Sequence, residues 1–139
     1  MPYPPQLVEP LREEARRIGF EELMTAETVN HNLDGKAGTT LILVNSVCGC
    51  AANGARPGLA LALQDGPKPD KMITVFAGQD VEATASVREH FAPYQPSSPQ
   101  IALLKDGELV FMLQRHDIEA RPAEAISGDI KIALAEHCA

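Results

Sequence analysis

Two cysteines separated by one glycine are the residues of this chain whose types and spacing best suit covalent chemistry. Cys48, Gly49 and Cys50 follow an apolar run that ends at Ser46, and small residues come directly after them. This order predicts a buried strand, a turn and the start of a helix. Unpaired backbone N–H groups and the dipole at a helix N-terminus favour the thiolate, the form of cysteine that attacks disulfides. The segment therefore predicts a redox-active pair with Cys48 as the nucleophile.

Cys50 has a separate role in this interpretation, because it is close enough in sequence to attack a disulfide formed on Cys48. Its attack would expel the group bound to Cys48 and close an intramolecular disulfide. Gly49 supplies the backbone freedom that so small a ring needs. The alternative for Cys48 is a buried cysteine that packs as a small hydrophobic residue.

A second alternative is a protein that binds a soft metal, Cu(I) or Zn, through Cys48 and Cys50. A closed zinc site normally has four ligands, and the chain has no second CxC motif and no CxxC motif. Only His137 and Cys138 could complete the set, and only if the C-terminus folds back onto the Cys48 loop. We therefore predict no metal site, and we expect Cys138 to be a thiol on a frayed chain end.

Composition limits the class of protein. The chain has 139 residues, of which 45% are hydrophobic and 22% charged, as is typical of one globular domain. The net charge is −7 with no basic run, which argues against nucleic-acid binding. The longest apolar run, residues 41–44, is too short to span a membrane, and residues 1–5 do not have the pattern of a secretory signal. We expect a cytoplasmic protein, where structural disulfides are rare.

The predicted elements alternate between helices and strands around the cysteines. The periodicities predict helices over residues 7–18, 25–31, 50–63, 80–90 and 122–136, with Thr25 and Asp80 as N-caps. They predict strands over residues 39–46, 72–77, 100–104 and 109–113, the last two joined by an Asp-Gly hairpin. This order predicts an α/β fold, a thioredoxin-like three-layer sandwich with helices on both faces of a mixed sheet. We expect one domain over residues 1–139, with residues 1–6 as a loose N-terminal arm.

Several segments resemble a known family. Residues 44–52, followed by Ala55-Arg56-Pro57, are similar to the active-site segment of the bacilliredoxins, thioredoxin-like proteins with a CGC active site. The resemblance continues through residues 74–80, 82–84, 96–99, 102–105 and 115–119 and ends at His137-Cys138. It covers essentially the whole chain. One departure is Ala120, where the family commonly has glycine, and it affects the turn at that position.

The resemblance implies an activity and its partners. The activity is the removal of bacillithiol, a low-molecular-weight thiol, from protein mixed disulfides, and members are also associated with thiol–disulfide exchange and isomerase activity. The implied partners are oxidised client proteins that carry mixed disulfides, and a thiol or reductase for recycling. No bound cofactor is implied, since bacillithiol or a similar thiol acts as co-substrate. We expect neither nucleic acid nor membrane as a partner.

Three further positions are candidates for the site. Ser98 and Pro99 precede a predicted strand where thioredoxin-like folds carry a cis-proline opposite the reactive cysteine, so we predict a cis bond and substrate contacts there. Arg56 is either a positive charge that favours the thiolate or a solvated helix residue, and the sequence leaves both open. His116 lies beyond the hairpin, and we expect it on the surface, away from the reactive end.

Overall fold

The order of the helices and strands agrees with the sequence prediction. The structure is a computed structural model that describes residues 3–34 and 37–138. Its strands are β1 (Glu21–Glu22), β2 (Thr39–Asn45), β3 (Lys71–Phe76), β4 (Gln100–Lys105) and β5 (Glu108–Leu113). Its helices are α1 (Pro5–Ile18), α2 (Ala26–Leu33), α3 (Arg56–Ala62), α4 (Val81–Glu89), α5 (Arg115–Ile118) and α6 (Ala123–Cys138), and a π-helical segment (Ala51–Ala55) precedes α3. The short elements β1 and α5 have no counterpart in the prediction.

The five strands form one mixed sheet in the order β1-β3-β2-β4-β5. The central strand β2 pairs in parallel with β3 and antiparallel with β4, where Val44 lies opposite Gln100. All residues of β2 are buried, as expected for an apolar strand covered on both faces. The β4–β5 hairpin turns at Asp106 and Gly107, whose φ angles of 53° and 84° fit the turn that Asp-Gly favours.

Helices cover both faces of the sheet because successive residues of β2 point to opposite sides. Leu41 and Leu43 belong to the core cluster that includes residues of α3 and α6, whereas Ile42 and Val44 belong to the cluster of α2 and α4. The predicted α/β sandwich, with a mixed sheet between two helical layers, is confirmed. No helix within residues 3–34 and 37–138 has the length and apolar character needed to cross a membrane.

The N-terminal segment is more ordered than the predicted loose arm over residues 1–6. Helix α1 begins at Pro5, in the first turn, where the missing N–H of proline costs no helical hydrogen bond. The backbone N–H of Tyr3 donates to Oε1 of Gln79 at 2.7 Å. The prediction of a loose arm is therefore wrong from Tyr3 onward, and residues 1 and 2 lie outside the described residues.

The side chain of Asp80 forms a buried ion pair with α1 instead of capping α4. The guanidinium of Arg12 donates to both carboxylate oxygens of Asp80, at 2.9 and 2.8 Å, and to Glu22 at 3.0 Å. One Asp80 oxygen also accepts the backbone N–H of Phe76 at 3.2 Å. Asp80 occupies the N-cap position of α4 as predicted, and its carbonyl accepts the N–H of Thr84, but its side chain makes no capping hydrogen bond. Thr25, by contrast, caps α2 as predicted, by accepting the N–H of Thr28.

Candidate active site

The CGC segment follows the end of β2, and the helical region begins within it, at Gly49. The N–H of Cys48 donates to Oγ of Ser46 at 3.0 Å, and the carbonyl of Cys48 accepts the N–H of Ala51 at 3.0 Å. Residues Ala51–Ala55 form a π-helical segment, and Pro57 lies in the first turn of α3, so the predicted single helix over residues 50–63 is two joined pieces. Cys48 thus lies before the first turn of a helical region, as the sequence predicts.

The two sulfurs are close together and unbonded. Their Sγ atoms lie 3.0 Å apart, well beyond the roughly 2.05 Å of a disulfide bond, and both thiols are free and partly exposed. The backbone N–H of Cys50 also donates to Sγ of Cys48, at 3.4 Å. Gly49 is exposed between them, and a Cβ built there would meet nothing closer than the Asn53 amide at 3.9 Å. The pair is therefore open to an incoming disulfide.

Hydrogen bonding makes the two cysteines unequal. When Cys48 is ionised, its sulfur accepts the thiol hydrogen of Cys50, and this hydrogen bond lowers the pKa of Cys48 against the opposing effect of burial. The Cys50 N–H and the charge of Arg115 lower it further. The same hydrogen bond raises the pKa of Cys50, with burial and the Cys48 charge acting in the same direction. Cys48 is therefore the residue that loses its proton first, and Cys50 is the residue that keeps it.

Two charged residues lie beside the cysteines, Arg115 at the start of α5 and Glu119 directly after its end, and the sequence alone does not place them in the site. Glu119 places Oε2 4.0 Å from Sγ of Cys50, and this oxygen accepts Nε–H of Arg115 at 3.3 Å. The charge of Arg115 favours the thiolate of both cysteines, whereas the charge of Glu119 contributes to the raised pKa of Cys50. The ion pair of Arg115 and Glu119 thus forms a charged surface beside the CGC segment.

The segment around His116 lies at the reactive end of the sheet, so the prediction that it lies away from that end is wrong. Strand β4 is antiparallel to β2 and β5 is antiparallel to β4, so β5 ends at the same edge as β2. The predicted Asp-Gly hairpin is the sequence signal that could have shown this. It brings β5, and the helix α5 that follows it, back to the end of the sheet where β2 ends. His116 itself is exposed, with 75% of its side-chain surface accessible, as expected for a surface residue.

Arg56 supports the backbone that leads to the CGC segment. Only 2% of its surface is exposed, so the interpretation as a solvated helix residue is wrong. Its guanidinium donates to Oδ1 of Asn45 at 2.8 Å, to the carbonyl of Ser46 at 3.2 Å and to Glu14 at 2.9 Å. These contacts fix the end of β2, and the guanidinium that lowers the pKa of Cys48 is that of Arg115.

The loop before β4 lies at the same edge of the sheet as Cys48. The Ser98–Pro99 bond is cis, with Pro99 buried and Ser98 partly exposed. Oγ of Ser97 accepts the backbone N–H of Arg115 at 3.2 Å, which joins this loop to α5. The cis geometry agrees with the sequence, and substrate contacts by Gly49, Ser98 and Pro99 stay a prediction.

Cys138 does not complete a metal-ligand set with the CGC cysteines. It is the last residue of α6 and packs against the core cluster, so the prediction of a frayed end is wrong. Lys131 of α6 lies 3.9 Å from Asp65, which follows α3, so the C-terminal half of α6 lies at the far end of α3 from Cys48. In the part of the chain that the structure describes, no group of three or more His, Cys, Asp or Glu residues could hold a metal ion. The described residues therefore offer no four-ligand zinc site around the CGC cysteines.

Comparison with known proteins finds relatives that match nearly the whole chain. A family model described as disulphide isomerase matches residues 3–138. A bacilliredoxin of Koribacter versatilis is 48% identical over 136 residues, which cover 98% of this chain and 94% of the relative. A bacilliredoxin of Shouchella clausii is 50% identical with the same coverage of both chains. A bacilliredoxin of Salinibacter ruber is 49% identical over 140 residues, covering 99% of this chain and 81% of the relative.

Solved structures share the fold at much lower identity. The thioredoxin of Malassezia sympodialis has a TM-score of 0.57 at 14% identity, covering 87% of this chain and 92% of that one. A second structure, described as having a thioredoxin fold, has a TM-score of 0.61 at 15% identity, covering 88% of this chain and 97% of that one. These two structures establish the thioredoxin fold, and the near-full-length matches at 48–50% identity establish that the chain belongs to the bacilliredoxin family.

Proposed function

We propose that this protein is a thiol–disulfide oxidoreductase that removes bacillithiol from client-protein mixed disulfides through Cys48 and Cys50. The observation that carries the proposal is the arrangement of the two sulfurs, 3.0 Å apart and both partly exposed, in which the pKa of Cys48 is lowered and that of Cys50 is raised by their hydrogen bond. The names of the relatives support bacillithiol as the small thiol, and the family description supports disulfide exchange and isomerisation.

The first step uses Cys48 as the nucleophile. Its thiolate attacks the bacillithiol sulfur of the mixed disulfide, and a new S–S bond forms between Cys48 and bacillithiol. The bond between bacillithiol and the client breaks, and the client sulfur leaves as a thiolate that takes up a proton. Because the pKa of Cys48 is lowered, a larger fraction of this residue is present as the attacking thiolate than for an ordinary cysteine at the same pH.

The second step uses Cys50 as the resolving cysteine. Cys50 loses its proton and attacks Sγ of Cys48, an intramolecular disulfide forms, and bacillithiol leaves as a thiolate. The two cysteines are oxidised by two electrons, and the original mixed disulfide is reduced to two thiols. A low-molecular-weight thiol or a reductase then reduces the Cys48–Cys50 disulfide. The thiols carry the electrons, so the reaction requires no bound cofactor.

The client is proposed to bind across the edge of the sheet that carries the CGC segment. The exposed backbone of Gly49 allows close approach, and the residue before a cis-proline offers its backbone to an extended peptide. In this protein that residue is Ser98. We propose the cytoplasm as the compartment, where a pair of free thiols stays reduced.

Intact-protein mass spectrometry after incubation with a bacillithiolated client tests the proposal. Cys50→Ser should accumulate a bacillithiol adduct on Cys48, whereas Cys48→Ser should form no adduct and leave the client unrepaired. Cys138→Ala is the matched control and should turn over as the wild type does. Client repair by Cys48→Ser would overturn the assignment. Equally fast repair of a glutathionylated client would overturn the bacillithiol preference alone.

A further inference from the structure

The carboxylate of Glu119 lies next to the resolving sulfur without a role in the two steps above. Its Oε2 is 4.0 Å from Sγ of Cys50, a contact that an S–H donor can make to an oxygen. The same oxygen accepts Nε–H of Arg115, four residues earlier on α5. About half of each side chain is exposed, so water can reach the carboxylate. We propose that Glu119 accepts the proton of Cys50 in the resolving step and is therefore a catalytic residue.

A proton acceptor is needed at this point because Cys50 must attack as a thiolate. In the reduced protein Cys50 keeps its proton, and the pKa of its thiol is raised first by the hydrogen bond to Cys48. Once Cys48 carries the small thiol in a disulfide, its negative charge is gone and it no longer holds the Cys50 proton. The Cys50 thiol contacts Cys48 and Glu119 in the structure, and the contact to Glu119 then remains as the acceptor for its proton.

The step balances without a further reagent, and it rests on the proposed function because it needs Cys50 to be the resolving cysteine. The S–H bond of Cys50 breaks and an O–H bond forms on Glu119. The Cys50 sulfur forms a bond to Sγ of Cys48, and the bond from Cys48 to the small thiol breaks. The small thiol leaves with the electron pair, and Glu119 passes the proton to it or to water.

Contacts made by the residues just before Glu119 fix its position. Ile118, the preceding residue, has only 1% of its surface exposed and anchors α5 in the core. At the start of α5, the backbone N–H of Gln114 donates to Oδ2 of Asp117 at 2.9 Å, which caps the short helix. Arg115 orients the carboxylate itself. The Glu119 side chain is thus placed by its neighbours although it is half exposed.

The test measures closure of the Cys48–Cys50 disulfide on proteins that carry Cys138→Ala. Ellman's reagent forms a thionitrobenzoate adduct on Cys48, and the attack of Cys50 releases a second thionitrobenzoate, which stopped-flow absorbance records as a second phase. Glu119→Gln should slow this second phase by about 10-fold at pH 7, less than the 10²–10⁴ of an optimally tuned general base. Above about pH 10, where the solvent deprotonates cysteine, the two rates should converge.

Two further variants sharpen the measurement. Glu119→Asp should restore part of the closure rate at pH 7, because it keeps a carboxylate on a shorter side chain. Glu124→Gln, an exposed glutamate in the first turn of α6, is the matched control and should close as the wild type does.

Three other results would overturn the inference, and each has a different cause. Unchanged or faster closure in Glu119→Gln would show that its charge only disfavours the Cys50 thiolate. A deficit of equal size at every pH would show a structural role without proton transfer. Failure of the wild type to release the second thionitrobenzoate would refute the resolving role of Cys50 itself, and with it this inference, while the first phase still reports on Cys48.

Discussion

Replacing Arg56 with methionine should destabilise the protein although it leaves every cysteine in place. The guanidinium donates two hydrogen bonds to buried groups, Oδ1 of Asn45 and the carbonyl of Ser46. Loss of a hydrogen bond from a charged donor costs roughly 1.5–3 kcal/mol. The bond to Glu14, whose side chain is 48% exposed, adds only about 0–1 kcal/mol.

Two such bonds would sum to roughly 3–6 kcal/mol, and the net loss of stability for Arg56→Met is expected to lie at or just below the lower end of that sum. Oδ1 of Asn45 keeps the hydrogen bond from the N–H of Ser46, so that oxygen stays satisfied. Methionine also retains the apolar stem and avoids the desolvation of a buried guanidinium, which offsets part of the loss. We therefore expect a decrease of about 2–3 kcal/mol in the free energy of unfolding.

Thermal unfolding of the reduced protein, followed by circular dichroism, measures this decrease. An unfolding entropy of about 2.1 cal/mol/K per residue gives roughly 0.3 kcal/mol/K for a chain of 139 residues, so Tm should fall by about 7–10 °C. Arg17→Met, with 77% of the wild-type side chain exposed, is the matched control and should change Tm by less than about 2 °C. A decrease below about 3 °C for Arg56→Met would refute the reasoning, because the buried contacts would then contribute less than about 1 kcal/mol.

The rate of Cys48 alkylation against pH, measured on the same Arg56 variant, separates structural support from an electrostatic effect on the thiolate. The contacts of Arg56 are with Glu14, Asn45 and Ser46, so we expect the alkylation midpoint to stay at its wild-type position. A midpoint displaced to higher pH would instead support a direct effect of the Arg56 charge on Cys48.

Three further predictions concern the site. Arg115→Gln removes a positive charge that lowers the pKa of Cys48, so the alkylation midpoint should move to higher pH and alkylation at pH 7 should slow; an unchanged midpoint would contradict this. Cys50→Ala should move the same midpoint further than Arg115→Gln does, because the Cys50 hydrogen bond is the largest cause of the lowered pKa, and the reverse order would be contrary to our account. Ala120→Gly should raise the free energy of unfolding in urea by about 0.5–1 kcal/mol, because Ala120 has a φ of 64°, where alanine is strained; a decrease would show that the strain is not there.

The sequence predicts the fold well because its signals for strands and turns are local. The apolar run of β2 predicts a buried strand without information on the strands that pair with it. Asp106-Gly107 specifies a hairpin by its own backbone preferences. The position of Cys48 follows directly, since it comes immediately after that strand. A motif whose meaning depends on adjacent residues can thus be interpreted before any contact is known.

The side-chain partners are less predictable because they come from distant parts of the chain. Asp80 has the sequence signature of an N-cap, but Arg12, far away in sequence, takes its carboxylate. Arg56 lies in the predicted helix after the CGC segment, where a solvated position is open to it, yet its guanidinium donates to Asn45 and Glu14 and is buried. Which of these competing interactions forms depends on how α1 packs on the sheet, and periodicity does not contain that information.

The difference between the two cysteines also comes from outside the motif. Cys48 and Cys50 have the same side chain, and both are partly exposed. The backbone N–H of Cys50 donates to Sγ of Cys48. Glu119 lies on the Cys50 side, and it reaches the site because β5 runs back to the edge where β2 ends. A CxC sequence on a different scaffold would have the paired sulfurs without the adjacent carboxylate. The hydrogen bond between the two sulfurs sets which cysteine loses its proton first, and Glu119 adds to the difference, so replacing Glu119 while the CGC sequence is kept should narrow the difference without reversing it.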